Sequence, residues 1–158
     1  MSKIVFIMAL TAIFFGCKKD FPDKPESPFE INVVLNGEGK GNSPSGFIKF
    51  RQDPDTARII DLDTWVIHLS PNHSYLLQRA VNPIADPNGC TSTAWLTLGR
   101  GLQPLAIETD AHGAGHADFW RDVTAVARGT GFHIHFQVID ATTLATVLTS
   151  DCYDYTVR

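Results

Sequence analysis

The chain has 158 residues, a formal net charge of −4 and three cysteines. That length supplies one domain with a proper core. Mild acidity without a basic patch excludes a nucleic-acid partner.

The N-terminus reads as an address. Lys3 gives a short positive start, Ile4 to Phe15 form an apolar run, and Gly16 and Cys17 follow at once. A run of about a dozen residues is short of the roughly 20 needed to span a bilayer as a helix. It fits the apolar core of a signal peptide, for which about 7 to 15 residues suffice. Residues 1–16 are therefore expected to be removed, and losing Lys3 leaves the mature chain one unit more negative. Residues 17–28 are charged and proline-rich, with almost nothing to bury, so they read as an extended tether.

The stretch Phe14-Phe15-Gly16-Cys17 resembles the lipobox of bacterial lipoproteins, with Phe14 in place of the usual Leu. The resemblance implies that Cys17 is diacylated and opens the mature chain, which would make the membrane a partner through a lipid anchor. The absence of Asp directly after Cys17 resembles lipoproteins sent to the outer membrane. The charged run from Lys18 resembles the surface-export tethers of Bacteroidetes-type bacteria. With Cys17 lipidated, Cys90 and Cys152 remain in a compartment where disulfides persist, and they are expected to be joined.

Residues 29–158 read as one all-β domain. Short β-branched and aromatic runs recur between turn residues: 29–35, 46–51, 57–69, 75–81, 93–98, 105–109, 117–123, 132–139 and 145–157. Such punctuation suggests a sandwich or barrel. In the third run the apolar face passes from Ile60 and Leu62 to Trp65, Ile67 and Leu69. A β-bulge near Asp63 and Thr64 would restore a single buried face. The run 117–123 is the least defined, because Phe119, Trp120 and Val123 also suit a short helix.

The spacing Leu69-x-Pro71-x-x-x-Tyr75 resembles the tyrosine corner of fibronectin type III domains, in which a Tyr hydroxyl bonds back to the preceding connection. Leu77 and Val81 continue the inward alternation after Tyr75, whereas Arg79 interrupts it. The whole resembles the secreted immunoglobulin-like lipoprotein domains of Bacteroidetes, which implies an immunoglobulin-like antiparallel β-sandwich of about 7 to 9 strands and no particular activity.

The chemistry-bearing residues are few. In Phe132-His133-Ile134-His135-Phe136-Gln137-Val138, strand alternation turns Phe132, Ile134, Phe136 and Val138 inward and His133, His135 and Gln137 outward. A His-x-His pair also resembles the copper-zinc superoxide dismutases, and a metal site would need further ligands. His112 and His116 are the nearest candidates, but a hairpin through Arg128 to Gly131 would leave His116 at the far end. Asp53 and Asp55 read as a turn and Asp61 and Asp63 as a solvated strand face. Core packing is expected for Trp65, Trp95 and Trp120, with a sugar-stacking platform as the other use. No nucleophile elbow, phosphate-binding loop or His-Glu-x-x-His motif is present.

Two function classes follow. The first is a non-enzymatic envelope module, needing no cofactor, that binds a glycan, peptide or protein through its loops. The second is a metal-binding or redox domain built on His133 and His135, with His112 and His116 as further ligands.

Overall fold

The computed structural model describes residues 28–38 and 43–158. The expected signal segment, Cys17 and the expected tether up to residue 27 lie outside the described residues. Among the described residues no helix is long and apolar enough to cross a membrane.

The chain is all-β, as the spacing of its turn residues predicts, and among the described residues it forms no helix. The long strands are β1 (Phe29–Asn36), β2 (Ser45–Gln52), β3 (Ile59–Ile67) and β4 (Ser74–Pro83). Four short pieces follow: β5 (Leu96–Thr97), β6 (Gly99–Arg100), β7 (Gln103–Pro104) and β8 (Ala106–Glu108). The last four are β9 (Gly115–Asp122), β10 (Gly131–Asp140), β11 (Thr146–Ser150) and β12 (Tyr153–Thr156).

These strands join in one sheet rather than two, in the order β5-β4-β10-β11-β1-β2-β3-β9-β6-β7. The sheet nearly closes into a barrel. On the far edge of β4 lie β8 and β5, while β6 lies on the far edge of β9 and a Thr109–Gly115 bridge ties the end of β8 to β9. Wrapping of this kind hides strand edges that would otherwise offer unpaired backbone groups.

The expected hairpin through Arg128–Gly131 does not form. Instead β9 pairs with β3 and β10 pairs with β4, so the connection 123–130 crosses one end of the barrel. The run 117–123 is a strand, because Ala117 and Phe119 take inward positions opposite Thr64 and Leu62. The run 145–157 is split at Asp151 and Cys152. There the Phe136 N–H donates to the Ser150 hydroxyl at 2.9 Å and not to a backbone carbonyl of β11, and β12 takes over the first half of β10. Of the run 93–98 only Leu96 and Thr97 pair as a strand.

The interior follows the two-residue period. Val33 and Leu35, Ile48 and Phe50, Leu77, and Ile134, Phe136 and Val138 are all buried there. The expected bulge in β3 is absent, since β2 and β3 stay in register from Ser45↔Ile67 to Gln52↔Ile60. Ile60, Leu62, Thr64 and Val66 therefore point inward and Trp65 points outward. The parity change falls later, at His68, whose backbone turns left-handed (φ 61°) before buried Leu69. Tyr75 does form the corner its spacing predicts, accepting the Ser70 N–H at 3.0 Å.

Straight register has a cost at Thr64. Its side chain is fully buried and its hydroxyl has no hydrogen-bond partner among the described residues. Thr64→Val keeps the shape and removes the unsatisfied group, so it should raise the unfolding free energy by about 1 kcal/mol. Urea denaturation of both proteins checks this, and a destabilised valine variant would contradict it.

Candidate ligand cavity

The histidines do not converge. His133 and His135 lie on the outer face of β10, as alternation predicts, but not in open solvent. His133 Nδ1 is 2.6 Å from Asp154 on β12, and His135 Nε2 is 3.0 Å from the Ser92 carbonyl while its ring sits 4.6 Å from Trp95. The segment 84–95 covers this face and is held by a Cys90–Cys152 disulfide, with Cα atoms 5.6 Å apart. Joined cysteines fit an oxidising, exported setting. His116 lies on β9, which neighbours β3 and not β10, and His112 lies in the turn before it.

His116 meets different partners. Its Nε2 is 2.6 Å from Asp63 and 3.6 Å from Asp118, and one ligand atom from each of the three lies within 4.8 Å of the others. Sequence reading placed Asp63 on a solvated strand face but could not place His116 opposite its neighbour Trp65 across β3 and β9. The group sits on the outer surface and supplies three of the four ligands usual for zinc.

The same face carries a cross-strand row in which Val34, Phe47, Trp65 and His116 stand directly opposite one another on β1, β2, β3 and β9. Trp65 stacks on Phe47 at 4.6 Å and on His116 at 4.7 Å. Trp65 is thus an outer-face residue and not the core residue its apolar neighbours suggested. Both its ring faces are covered, which leaves edges and no open platform for a sugar. Trp95 is occupied by His135, and Trp120 is 39% exposed on the outer face of β9. The tryptophans therefore serve the outside of the barrel.

An apolar concave feature lies inside, at the barrel end crossed by residues 123–130. Its cavity volume is about 90 Å³. Phe50, Leu62, Ile134 and Phe136 form the floor, and Val123, Val126 and Val157 form part of the cap. The cap is tied down on both sides. Arg58 accepts the Val123 N–H through its carbonyl at 3.0 Å and donates through its guanidinium to the carbonyls of Thr124 and Val126, while Gly129 N–H donates to the Val157 carbonyl at 2.8 Å. The Tyr155 hydroxyl at the floor is already engaged, donating at 2.8 Å to Gln52 Oε1, and burial pushes its pKa up.

Two charged side chains line this apolar space, Arg79 from β4 and Arg121 from β9. Both occupy inward positions, Arg79 opposite Phe136 and Arg121 opposite Ile60. Arg121 donates to the Gly101 carbonyl at 3.1 Å. Among the described residues no carboxylate stands within 4.0 Å of either guanidinium. Burial, and then the charge of Arg121, lowers the pKa of Arg79. The interruption of alternation at Arg79 was the visible signal of this site in the sequence. Arg121 gave no such signal, because its segment suited a helix as well as a strand.

Compared with family models, curated proteins and solved structures, the chain matches none.

Proposed function

We propose that this chain is an exported, lipid-anchored and non-enzymatic binding module of the bacterial cell envelope, and that its ligand enters the barrel-end cavity. The carrying observation is the cavity itself, an apolar space inside a strapped barrel end. Binding sites for small molecules are usually concave, mostly apolar and equipped with a few polar groups, and this one has that composition. Support for the anchor is the apolar run ending at Gly16 and Cys17, and the disulfide fits export. An immunoglobulin-like relationship has the Tyr75 corner in its favour and the single continuous sheet against it.

A small neutral probe tests the site. Xenon dissolved under increasing pressure into the isotope-labelled full chain should shift the amide resonances of Val126, Ile134 and Phe136 saturably, while those of Phe47 and Trp65 on the outer face stay in place. Linear, unsaturating shifts spread over both faces would sink the reading.

A further inference from the structure

Resting on that reading, we propose that the cavity takes a small apolar monoanion, a carboxylate on a short hydrocarbon body, with its head group held between Arg79 and Arg121. The two arginines project from β4 and β9, strands that flank the β5–β7 segment closing the barrel. They are the only charged residues among those lining the cavity, and the rest of its wall is apolar apart from the engaged Tyr155 hydroxyl.

A guanidinium lining an apolar space without a counter-charge is costly to keep, and two of like sign are costlier. Relief would come from an anion that both can reach. The protein supplies none among its described residues, and the chain as a whole is acidic at −4, so this pair is a local feature and no part of a general basic surface. A carboxylate suits it best. It is planar, accepts paired N–H donors from the guanidinium fork, and brings one negative charge into the apolar setting where phosphate brings nearly two.

Size limits the body of the ligand. The cavity volume of about 90 Å³ is smaller than the roughly 150 Å³ that holds benzene in an engineered protein cavity. Scaled from the six carbons of benzene in that larger cavity, it leaves room for about three or four carbons, with the head group at the arginines, and excludes a fully enclosed long acyl chain.

Calorimetric titration of the full chain with butyrate and with butan-1-ol separates head from tail. Butyrate should bind at least ten-fold more tightly than the alcohol. Arg79→Met and Arg121→Met, which keep an apolar stem, should each remove ten-fold or more of the butyrate affinity, while unshifted amide resonances of Phe47 and Trp65 on the outer face show that the variants fold. Inorganic phosphate at equal concentration should not displace butyrate. Equal binding of acid and alcohol would overturn the anion assignment while leaving the cavity reading intact. Butyrate binding that survives both methionine variants, or that phosphate abolishes, would overturn it as well. Failure of butyrate, butan-1-ol and xenon alike would remove the cavity reading and this inference together.

Discussion

Replacing Cys90 and Cys152 together by alanine should lower the unfolding free energy by about 4 kcal/mol. The bridge spans a sequence separation of 62 residues, and the chain-entropy estimate for a loop of that length gives about 4 kcal/mol at room temperature. The folded state also loses something specific. Cys90 belongs to the segment that lies over the outer face of β10, and Cys152 sits at the break between β11 and β12. Without the bridge that segment keeps its polar ties, among them Asn82 donating to Asp86 at 2.8 Å and to Thr91 at 3.1 Å. It should remain in place but open more readily, exposing His133 and His135. Guanidinium denaturation of the oxidised protein and the double variant gives the free energies, and hydrogen exchange at residues 84–95 reports the opening. A loss under 1 kcal/mol would mean that the bridge adds little to a segment already fixed by these hydrogen bonds.

Phe136→Ala should cost about 4 kcal/mol, whereas Phe47→Ala should cost about 1 kcal/mol, although both remove a benzyl group from a strand. Phe136 is 1% exposed, meets Phe50 edge-on at a centroid distance of 6.4 Å, and forms part of the cavity floor. Truncation there loses the burial and enlarges a void that the rigid barrel wall cannot collapse, and the two effects add. Phe47 is 44% exposed and has its stack on Trp65 as its main contact. Its loss resembles that of a cross-strand aromatic pair on a solvated face. Urea midpoints of the two variants decide the matter. Equal losses would contradict the assignment of inner and outer faces.

Local patterns in the chain set out much of the fold. Alternation in 132–138 was enough to divide Phe132, Ile134, Phe136 and Val138 from His133, His135 and Gln137, because a strand has no other way to arrange a two-residue period. The proline and tyrosine of Leu69-x-Pro71-x-x-x-Tyr75 were enough to specify the corner, since the whole interaction is contained within six residues. The expectations for residues 1–16 and for Cys17 rest on local composition alone and lie outside the described residues. The pairing of Cys90 with Cys152, expected once Cys17 is set aside as a lipidation candidate, is present in the structure.

Tertiary structure decided the rest, wherever the answer depended on which strands become neighbours. Nothing local distinguishes a β9–β10 hairpin from β9 paired with β3 and β10 with β4, because loop closure entropy changes little between such connections and the long-range pairings are settled by shared burial. That choice separated His116 from His133 and His135 and put it beside Asp63 and Trp65. Register decided Trp65 against its hydrophobicity, since a bulge that buried it would have broken an unshifted ladder with β2 for the sake of one side chain that finds stacking partners outside. The cavity, too, exists only after the barrel closes. Arg79 shows in the sequence as a break in alternation, but only the closed barrel places it with Arg121 around one apolar space, because the two strands that carry them meet through the short pieces β5 to β8 and never pair directly.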